Sequence, residues 1–360
     1  MEERKKSSNG IRILIVLLIL LMIVAGVLVA IKFIQGNKIK QTQTSAGVEE
    51  NKEPEKEVIK LPTTFAGKDR PIAVMIDNNI NAMPHAGLEQ ADLVYEMIVE
   101  GGETRLMAVI KNKDISKIGP LRSVRHYYLD YMLENDAICV HYGQSPQAKA
   151  DISTMGVNNI NGLYYDGSYF WRVSEKYAPH NAVISTKNIL KVAENNEYRT
   201  TSEQKPVLNY VADEIELEDG KEAETITIPY SDYNTVKYTY NEDKKEYVRY
   251  SRGKKQVDWN TDTTITTKNI IVTFAENYSL NDGSGKGRQG LENIGKLKGY
   301  YITNGKAIEI TCEKTSRTTQ TVYKDLQGNE IKVNDGKTFI QICPLNANVK
   351  IEGNTKTTEK

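Results

Sequence analysis

The segment Ile13–Ile31 is an unbroken run of 19 apolar residues, and it constrains the fold of this chain more than any other feature. At about 1.5 Å rise per residue, a helix of this length spans nearly the ~30 Å hydrocarbon core of a bilayer. A helix at the surface of a soluble core needs a polar face for water, and this segment has none. The run therefore predicts a transmembrane helix, bounded at residues 13–34, after a basic leader at residues 1–12.

The flanks of the run favour an uncleaved signal anchor. Four basic residues precede it, as in a signal sequence. A cleaved signal has a shorter apolar centre of about 7–15 residues and ends at small residues, whereas Val29-Ala30 leads here into Ile31-Lys32-Phe33. A lipid anchor would need a cysteine just after the run, and the first cysteine is Cys139.

The distribution of charge argues against nucleic-acid binding. Residues 1–40 carry seven Lys and Arg and two Asp and Glu, while the rest of the chain carries 40 and 45. Nucleic-acid binding needs a basic face, which an acidic bulk does not favour. Four basic residues precede the apolar run and three lysines follow it, so the number of positive charges on its two sides is nearly equal. The charges therefore do not predict the orientation of the run in the membrane.

The remainder of the chain predicts a linker and two domains. Residues 35–68 are rich in Lys, Glu, Thr and Gln with few large apolar residues, which is typical of a flexible linker. The approximately 290 residues that follow exceed one typical domain. We expect domains at 69–200 and 201–350 and a disordered tail at 351–360.

The first domain alternates strand and helix patterns and is predicted to be α/β. Predicted strands cover residues 72–76, 93–100, 105–110, 137–142 and 182–184, and predicted helices cover 123–134, 146–155 and 186–196.

The second domain is predicted to be mainly β, because its short apolar runs are rich in Thr, Tyr and Val. Asn304-Gly305 between two such runs indicates a tight hairpin. Cys312 and Cys343 both lie in strand-like segments, and whether they pair is left open. Cys139 lies in an apolar stretch and is expected in the core.

Several motifs follow one another in a recognisable order. They are Ile-Asp-Asn at 76–78, Gly-Leu-Glu-Gln-Ala-Asp at 87–92, Val-Tyr-Glu at 94–96, Glu-Gly-Gly-Glu-Thr-Arg at 100–105, Gly-Pro-Leu-Arg-Ser-Val-Arg at 119–125, His-Tyr-Gly-Gln-Ser-Pro at 141–146 and Pro-His-Asn at 179–181. Over about residues 70–344 the chain resembles the YerB-like family of bacterial two-domain proteins, often lipoproteins of Gram-positive bacteria. This resemblance implies an extracytoplasmic location but no reaction, since the chemistry of the family is unassigned. The apolar anchor would here replace the lipid.

A cluster of cations surrounds the predicted start of helix 123–134, namely Arg105, Arg122 and Arg125. Ser123 is a suitable N-cap, and the first turn of a helix offers free N–H groups to an anion. The sequence thus predicts a site for phosphate, pyrophosphate or carboxylate. The alternative is structural, with these arginines paired to nearby acidic residues, Glu96, Glu100 and Glu103.

Other candidates for contacting a ligand lie at strand ends and in loops. Asp77 ends the first strand, and Ser145 lies where a strand leads into a helix, as a ligand contact or an N-cap. His180 and Asn181 belong to the Pro-His-Asn motif. The four histidines show no metal-ligand spacing, so no metal and no cofactor are expected.

Two functions follow from these features. The first is a membrane-anchored extracytoplasmic binding protein that acts with the cell-wall synthesis machinery or on an acidic envelope ligand. The second is an enzyme acting on a phosphorylated or polyprenyl-pyrophosphate-linked envelope intermediate. In that case Arg105, Arg122 and Arg125 would bind the pyrophosphate, and Asp77 or His180 would be the general acid or base.

Overall fold

The structure is a computed structural model that describes residues 60–353. These residues belong to one compact unit. The predicted leader, the predicted anchor at 13–34, most of the predicted linker and the last seven residues of the chain lie outside the described range. Within residues 60–353, no helix has the length and apolar character needed to cross a membrane.

The N-terminal part, up to about residue 200, is mixed α/β as predicted. Its strands are β1 (Ile72–Asp77), β2 (Leu93–Ile98), β3 (Thr104–Ile110), β4 (Ile138–His141), β5 (Asn159–Asn161), β6 (Trp171–Arg172) and β7 (Ala182–Val183). Its helices are α1 (His126–Glu134), α2 (Pro146–Thr154), α3 (Gly162–Tyr165) and α4 (Thr186–Asn195), and Ile80–Ala82 and Glu100–Gly102 are 3₁₀ turns.

The C-terminal part is mostly β, again as predicted. It contains β8 (Tyr210–Val211), β9 (Lys221–Glu222), β10 (Thr225–Ser231), β11 (Asn234–Asn241), β12 (Glu246–Ser251), β13 (Lys254–Lys255), β14 (Thr266–Thr267), β15 (Asn269–Ser279), β16 (Gln289–Glu292), β17 (Gly295–Thr303), β18 (Lys306–Lys314), β19 (Val322–Lys324), β20 (Val333–Asn334), β21 (Thr338–Pro344) and β22 (Lys350–Glu352). The predicted hairpin is confirmed: Asn304 and Gly305 have φ of 48° and 73°, and Thr303 pairs with Lys306.

The two parts share one sheet. It has twelve strands, ten of them in the order β19-β18-β17-β15-β21-β2-β3-β1-β4-β5. The junction is the parallel pair β21 and β2, in register from Thr338 opposite Leu93 to Ile342 opposite Met97. Strands β1, β4 and β5 are also parallel, so their carboxyl ends meet at one edge.

Both faces of this sheet are covered, which explains the apolar run of β1. Val74 and Ile76 lie in the same core cluster as residues of α4 and of the six-stranded sheet of the C-terminal part, whose main path is β13-β12-β11-β10-β22. Ala73 and Met75 lie in a second cluster, which contains residues of α1. Because successive side chains point to opposite faces, both sets in one strand are apolar.

Two fully buried ion pairs also join the N-terminal and C-terminal parts. Glu96 on β2 and Arg249 on β12 approach to 2.5 Å, and both side chains are 0% exposed. Glu134 at the end of α1 and Lys314 on β18 are 2.8 Å apart, with side chains that are 0% and 2% exposed. A buried charge is tolerated only when it is paired, so these contacts tie the two parts together.

Three predicted boundaries need correction. The linker predicted for 35–68 ends earlier, because Asp335 accepts hydrogen bonds from the backbone of Thr63 and Thr64 and Phe65 is only 8% exposed. The tail predicted to be disordered from residue 351 begins in a strand, since β22 pairs with β10. Helix α1 begins at His126 rather than at Ser123.

All three cysteines are buried and free in the structure. Cys139 belongs to the core, as predicted. Cys312 and Cys343 lie on different strands, β18 and β21, and do not pair.

Candidate functional site

The candidate site lies at the carboxyl edge of the parallel strands β1, β4 and β5. Asp77 is the last residue of β1, and Tyr142 follows β4 directly. The backbone N–H of Tyr142 donates to the carbonyl of Arg122, and that of Arg122 donates to Met75 in β1. The segment that carries Arg122 is therefore held between the ends of two parallel strands, where open α/β sheets place their ligand sites.

Asp77, Arg122 and His180 form the centre of the site. The His180 Nδ1 atom lies 2.7 Å from one Asp77 carboxylate oxygen, and the Arg122 Nε atom lies 3.5 Å from the same oxygen. The side chain of Asp77 is 6% exposed, whereas those of His180 and Arg122 are 18% and 32% exposed. A buried carboxylate thus orients two solvent-facing groups.

The contact with Asp77 determines how the imidazole of His180 is oriented. A carboxylate only accepts hydrogen bonds, so Nδ1 carries the proton and donates to Asp77. Nε2 then remains available, and no described residue hydrogen-bonds to it. In the neutral ring this nitrogen is an acceptor, and after protonation it becomes a second donor. The arrangement can therefore bind a group or transfer a proton.

The other two predicted arginines take the structural alternative. Arg125 donates two hydrogen bonds to Glu100, of 2.5 Å and 2.8 Å, and Arg105 lies 3.8 Å from the same carboxylate. Burial together with the charge of Arg125 lowers the pKa of Arg105 to about 10. Glu96 and Glu103 pair instead with Arg249 and Arg252.

This geometry predicts a pH-dependent stability difference at Glu100. Burial raises the pKa of this carboxyl, but the hydrogen bonds and charge of Arg125 outweigh burial, and the pKa lies below its usual value. A carboxyl with a depressed pKa in the folded state stabilises it above the unfolded pKa, near 4.5. We expect Glu100→Gln to lower the free energy of unfolding at pH 7, with the deficit shrinking as the pH falls below about 4.5. Urea titrations of both chains between pH 3 and 7 measure this difference in the free energy of unfolding.

Glu194→Gln is the control for that measurement. Glu194 pairs with Lys191 on the exposed face of α4. Exposed pairs of this kind stabilise little, so this variant should unfold like the unsubstituted chain throughout the titration. A deficit of Glu100→Gln that stays constant down to pH 3 would contradict the prediction.

Ser123 and Ser145 differ in their roles. The prediction that Ser123 caps α1 is wrong: the N-cap position is Arg125, and the Ser123 hydroxyl donates to the carbonyl of Tyr142 over 3.1 Å. The Ser123 carbonyl accepts a hydrogen bond from Arg105. Ser145 does cap α2, accepting from the Ala148 N–H over 3.1 Å, and it is buried. Helix α1 therefore begins beyond Ser123, and the anion site predicted at its first turn stays a prediction.

A second polar network borders the centre and was not predicted. Arg172 donates to Asp166 over 3.1 Å, to the Tyr142 hydroxyl over 2.6 Å and to the Asn181 side chain over 2.8 Å. Asn181 also donates to the carbonyls of Val173 and Lys176. Asn181 therefore holds the loop that presents His180. Arg172 and Asp166 lie in a segment without strong periodicity, so only their spatial convergence marks them.

Exposed apolar side chains lie beside these polar groups. Tyr177 is 88% exposed, and its carbonyl accepts from the His180 N–H. Leu163 and Tyr164, in α3, are 59% and 75% exposed. The Asn161 side chain accepts from both Leu163 and Gly143, so α3 is tied to the end of β4. Large apolar side chains at the surface beside a polar centre are typical of binding sites.

A large groove in the described part of the chain lies elsewhere. It has a volume of about 1070 Å³ and is lined by Arg70, Ile72, Ile110 and residues of α4. Ile72 begins β1 and Asp77 ends it, so this groove is at the opposite end of the strand. None of the predicted site residues lines it. Within residues 60–353, no three His, Cys, Asp or Glu residues are grouped as metal ligands.

Comparisons with known proteins agree with this architecture. Residues 61–199 match the family described as "Protein of unknown function (DUF3048) N-terminal domain", and residues 226–340 match the corresponding C-terminal domain. The chain is 32% identical over 286 residues to the Bacillus subtilis (strain 168) protein named "Putative lipoprotein YerB", covering 76% of this chain and 81% of that protein. A crystal structure of YerB from Bacillus subtilis superposes with a TM-score of 0.72 at 30% identity, covering 81% of this chain and all of the other. The chain therefore belongs to the YerB-like (DUF3048) family, whose function is unassigned.

Proposed function

We propose that this chain is a membrane-anchored, extracytoplasmic binding protein of the bacterial cell envelope. Two features support the location: the apolar segment Ile13–Ile31 and the lipoprotein name of the similar Bacillus subtilis protein. In this proposal residues 13–34 cross the membrane once and residues 60–353 face outward. The apolar segment would take the place of a lipid.

The observation that carries the binding role is the shared carboxylate of Asp77. Arg122 and His180 both contact it, yet both remain open to solvent. Arg122 alone would neutralise Asp77, so the additional contact of His180 with the same carboxylate supports a role beyond charge pairing. An acidic group on a partner would be bound by the Arg122 guanidinium and by Nε2 of protonated His180. The neighbouring exposed residues Leu163 and Tyr177 would pack against apolar parts of the same partner.

The partner in this proposal is a protein of the cell-wall synthesis machinery or an acidic envelope ligand. A protein partner fits because exposed apolar and aromatic side chains lie beside the polar centre, and aromatic residues are among those that contribute most to binding at protein interfaces. The acidic bulk of the chain argues against a nucleic acid.

Site-specific crosslinking in cells tests the proposal. A photo-crosslinking amino acid replaces Tyr177 in the full-length chain, and crosslinked envelope proteins are identified with and without Arg122→Gln. We expect Arg122→Gln to weaken capture of a specific partner about tenfold or more, because a desolvated charge-assisted contact contributes roughly 1.5–3 kcal/mol.

Lys187→Gln is the matched control, since it removes one positive charge from an exposed residue of α4. It should leave capture unchanged. If Arg122→Gln and Lys187→Gln reduced partner capture equally, only the net charge of the chain would matter, and a specific site would be rejected. A reporter fused to the C-terminus that is active only in the cytoplasm would reject the outward orientation.

One observation favours an enzyme as the second candidate. An imidazole whose Nδ1 donates to a buried carboxylate, as His180 does to Asp77, is oriented as in general acid–base catalysis. Arg122 would then bind the phosphate of a polyprenyl-pyrophosphate-linked intermediate. His180→Asn distinguishes the two candidates. Turnover of such a substrate that disappears in His180→Asn supports the enzyme, and lost capture without any turnover supports the binding protein.

A further inference from the structure

Fully buried polar atoms without a protein partner lie between the twelve-stranded and the six-stranded sheet. Among residues 60–353, no donor or acceptor faces Asn78 Oδ1, His85 Nδ1, Asn234 Oδ1, Arg249 Nη1 or Ser251 Oγ. Each of these five residues is at most 1% exposed. A buried polar group without a partner destabilises the folded state, so such a concentration needs an explanation.

The hydrogen bonds around Thr104 fix the orientation of the two amides. The Thr104 hydroxyl donates its proton to Glu96 over 2.7 Å, so it can only accept from other groups. It accepts from Asn78 Nδ2 over 2.7 Å and from Asn234 Nδ2 over 3.3 Å. Asn78 Nδ2 also donates to Glu96 over 3.0 Å. Flipping either amide would place an oxygen against an acceptor, so both Oδ1 atoms must point away from Thr104.

The remaining atoms belong to the same neighbourhood. Arg249 donates to Glu96 through Nη2 and to Tyr238 through Nε, which leaves Nη1 without a partner among residues 60–353. Asn78 donates to the same Glu96 carboxylate and shares the Thr104 hydroxyl with Asn234. Ser251 follows two residues later on the same buried face of β12. His85 Nε2 lies 3.0 Å from the backbone carbonyl of Asp77, which only accepts, so Nε2 carries the proton and Nδ1 is an acceptor.

The chemistry of these atoms selects the ligand. Asn78, Asn234 and His85 offer three acceptors, while Arg249 and Ser251 offer donors. An anion would face the acceptors and a cation would face the guanidinium, whose charge Glu96 already balances. Only a small neutral molecule that both donates and accepts satisfies all of them. We propose that ordered water molecules are bound between the two sheets, bridging Arg249 Nη1 to the amide oxygens of Asn78 and Asn234.

The neutral state of His85 agrees with this assignment. Burial and the nearby charge of Arg249 lower the pKa of His85 to about 3, so the ring stays uncharged at physiological pH. Its Nδ1 then remains an acceptor for water. Buried waters usually make about three hydrogen bonds to otherwise unpaired groups, which these side chains provide.

Diffraction from crystals of the full-length chain in detergent tests the proposal. We expect density peaks within 2.7–3.2 Å of Asn78 Oδ1, Asn234 Oδ1 and Arg249 Nη1, refining as water. A parallel soak in bromide should show no anomalous peak beside Arg249. A bromide peak there would mean an anion site, and unpaired atoms without density, or a direct contact of Arg249 with either amide, would overturn the proposal.

Asn234→Leu provides a second readout in the same crystals. The leucine removes the amide oxygen, so the peak beside position 234 should disappear while the peak at Asn78 remains. Lys237→Leu, on the exposed face of the same strand, is the control and should leave every peak in place. A peak that persists unchanged in Asn234→Leu would contradict the assigned contact.

Discussion

Arg249→Met is expected to lower the free energy of unfolding by about 3–5 kcal/mol, the largest effect of any single substitution considered for this chain. The reason is the charge that it leaves behind. Glu96 is 0% exposed and faces the Arg249 guanidinium at 2.5 Å, so removing the arginine leaves a buried carboxylate without its cation. The guanidinium also lies over Phe339, 5.3 Å from its ring centre. Urea-induced unfolding followed by circular dichroism measures the change.

The double variant Glu96→Gln with Arg249→Met separates the ion pair from packing. With a neutral amide at position 96 no buried charge is stranded, so we expect the double variant to recover a large part of the lost stability. Arg199→Met is the control, because Arg199 pairs with Asp136 with half of its side chain exposed. It should cost less than about 1 kcal/mol. If Arg249→Met cost no more than Arg199→Met, the buried pair would not join the two parts of the chain.

Local patterns in the sequence were sufficient for most of the elements. The apolar run of β1, the helix predicted at 186–196 and the Asn304-Gly305 turn each depend on neighbouring residues, and the structure has all three. The start of α1 was predicted three residues too early. A serine is a good N-cap by propensity, but the Ser123 hydroxyl and carbonyl are both used in tertiary contacts. Those contacts decided where the helix begins.

The site could be predicted only in part, because it depends on long-range pairing. Asp77 and His180 are separated by 103 positions and meet through the fold. The sequence showed that Asp77 ends a strand and that His180 lies in a loop, and both residue types suit a binding site. The sequence did not show which arginine would remain exposed, because Arg105, Arg122 and Arg125 look equivalent in it. In the structure, Glu100 forms ion pairs with Arg105 and Arg125. One signal was missed: Arg249 alternates with Tyr247 and Ser251 and therefore points inward.

Cutting the chain between its two parts is expected to abolish the cooperative folding of the N-terminal part. In a fragment of residues 60–203, strand β2 loses its parallel partner β21 and becomes an open, apolar edge. Glu134 loses Lys314 as well as the backbone and hydroxyl of Thr321, which both donate to it. Glu96 loses Arg249 at the same time. Two buried carboxylates without their cations exceed what a domain of marginal stability tolerates.

Circular dichroism and NMR spectra of the backbone amides measure whether the 60–203 fragment folds cooperatively. We expect no sigmoidal urea transition and poorly dispersed signals, which should both recover when the fragment of residues 204–353 is added in equal amount. A cut within residues 283–287 is the control. That loop is exposed and none of its residues takes part in the buried ion pairs, so the nicked 60–353 chain should still unfold cooperatively. A 60–203 fragment that unfolds cooperatively alone would mean that the shared sheet is an assembly of two independent domains. In that case the stability of the Asp77–Arg122–His180 site would not depend on the C-terminal strands.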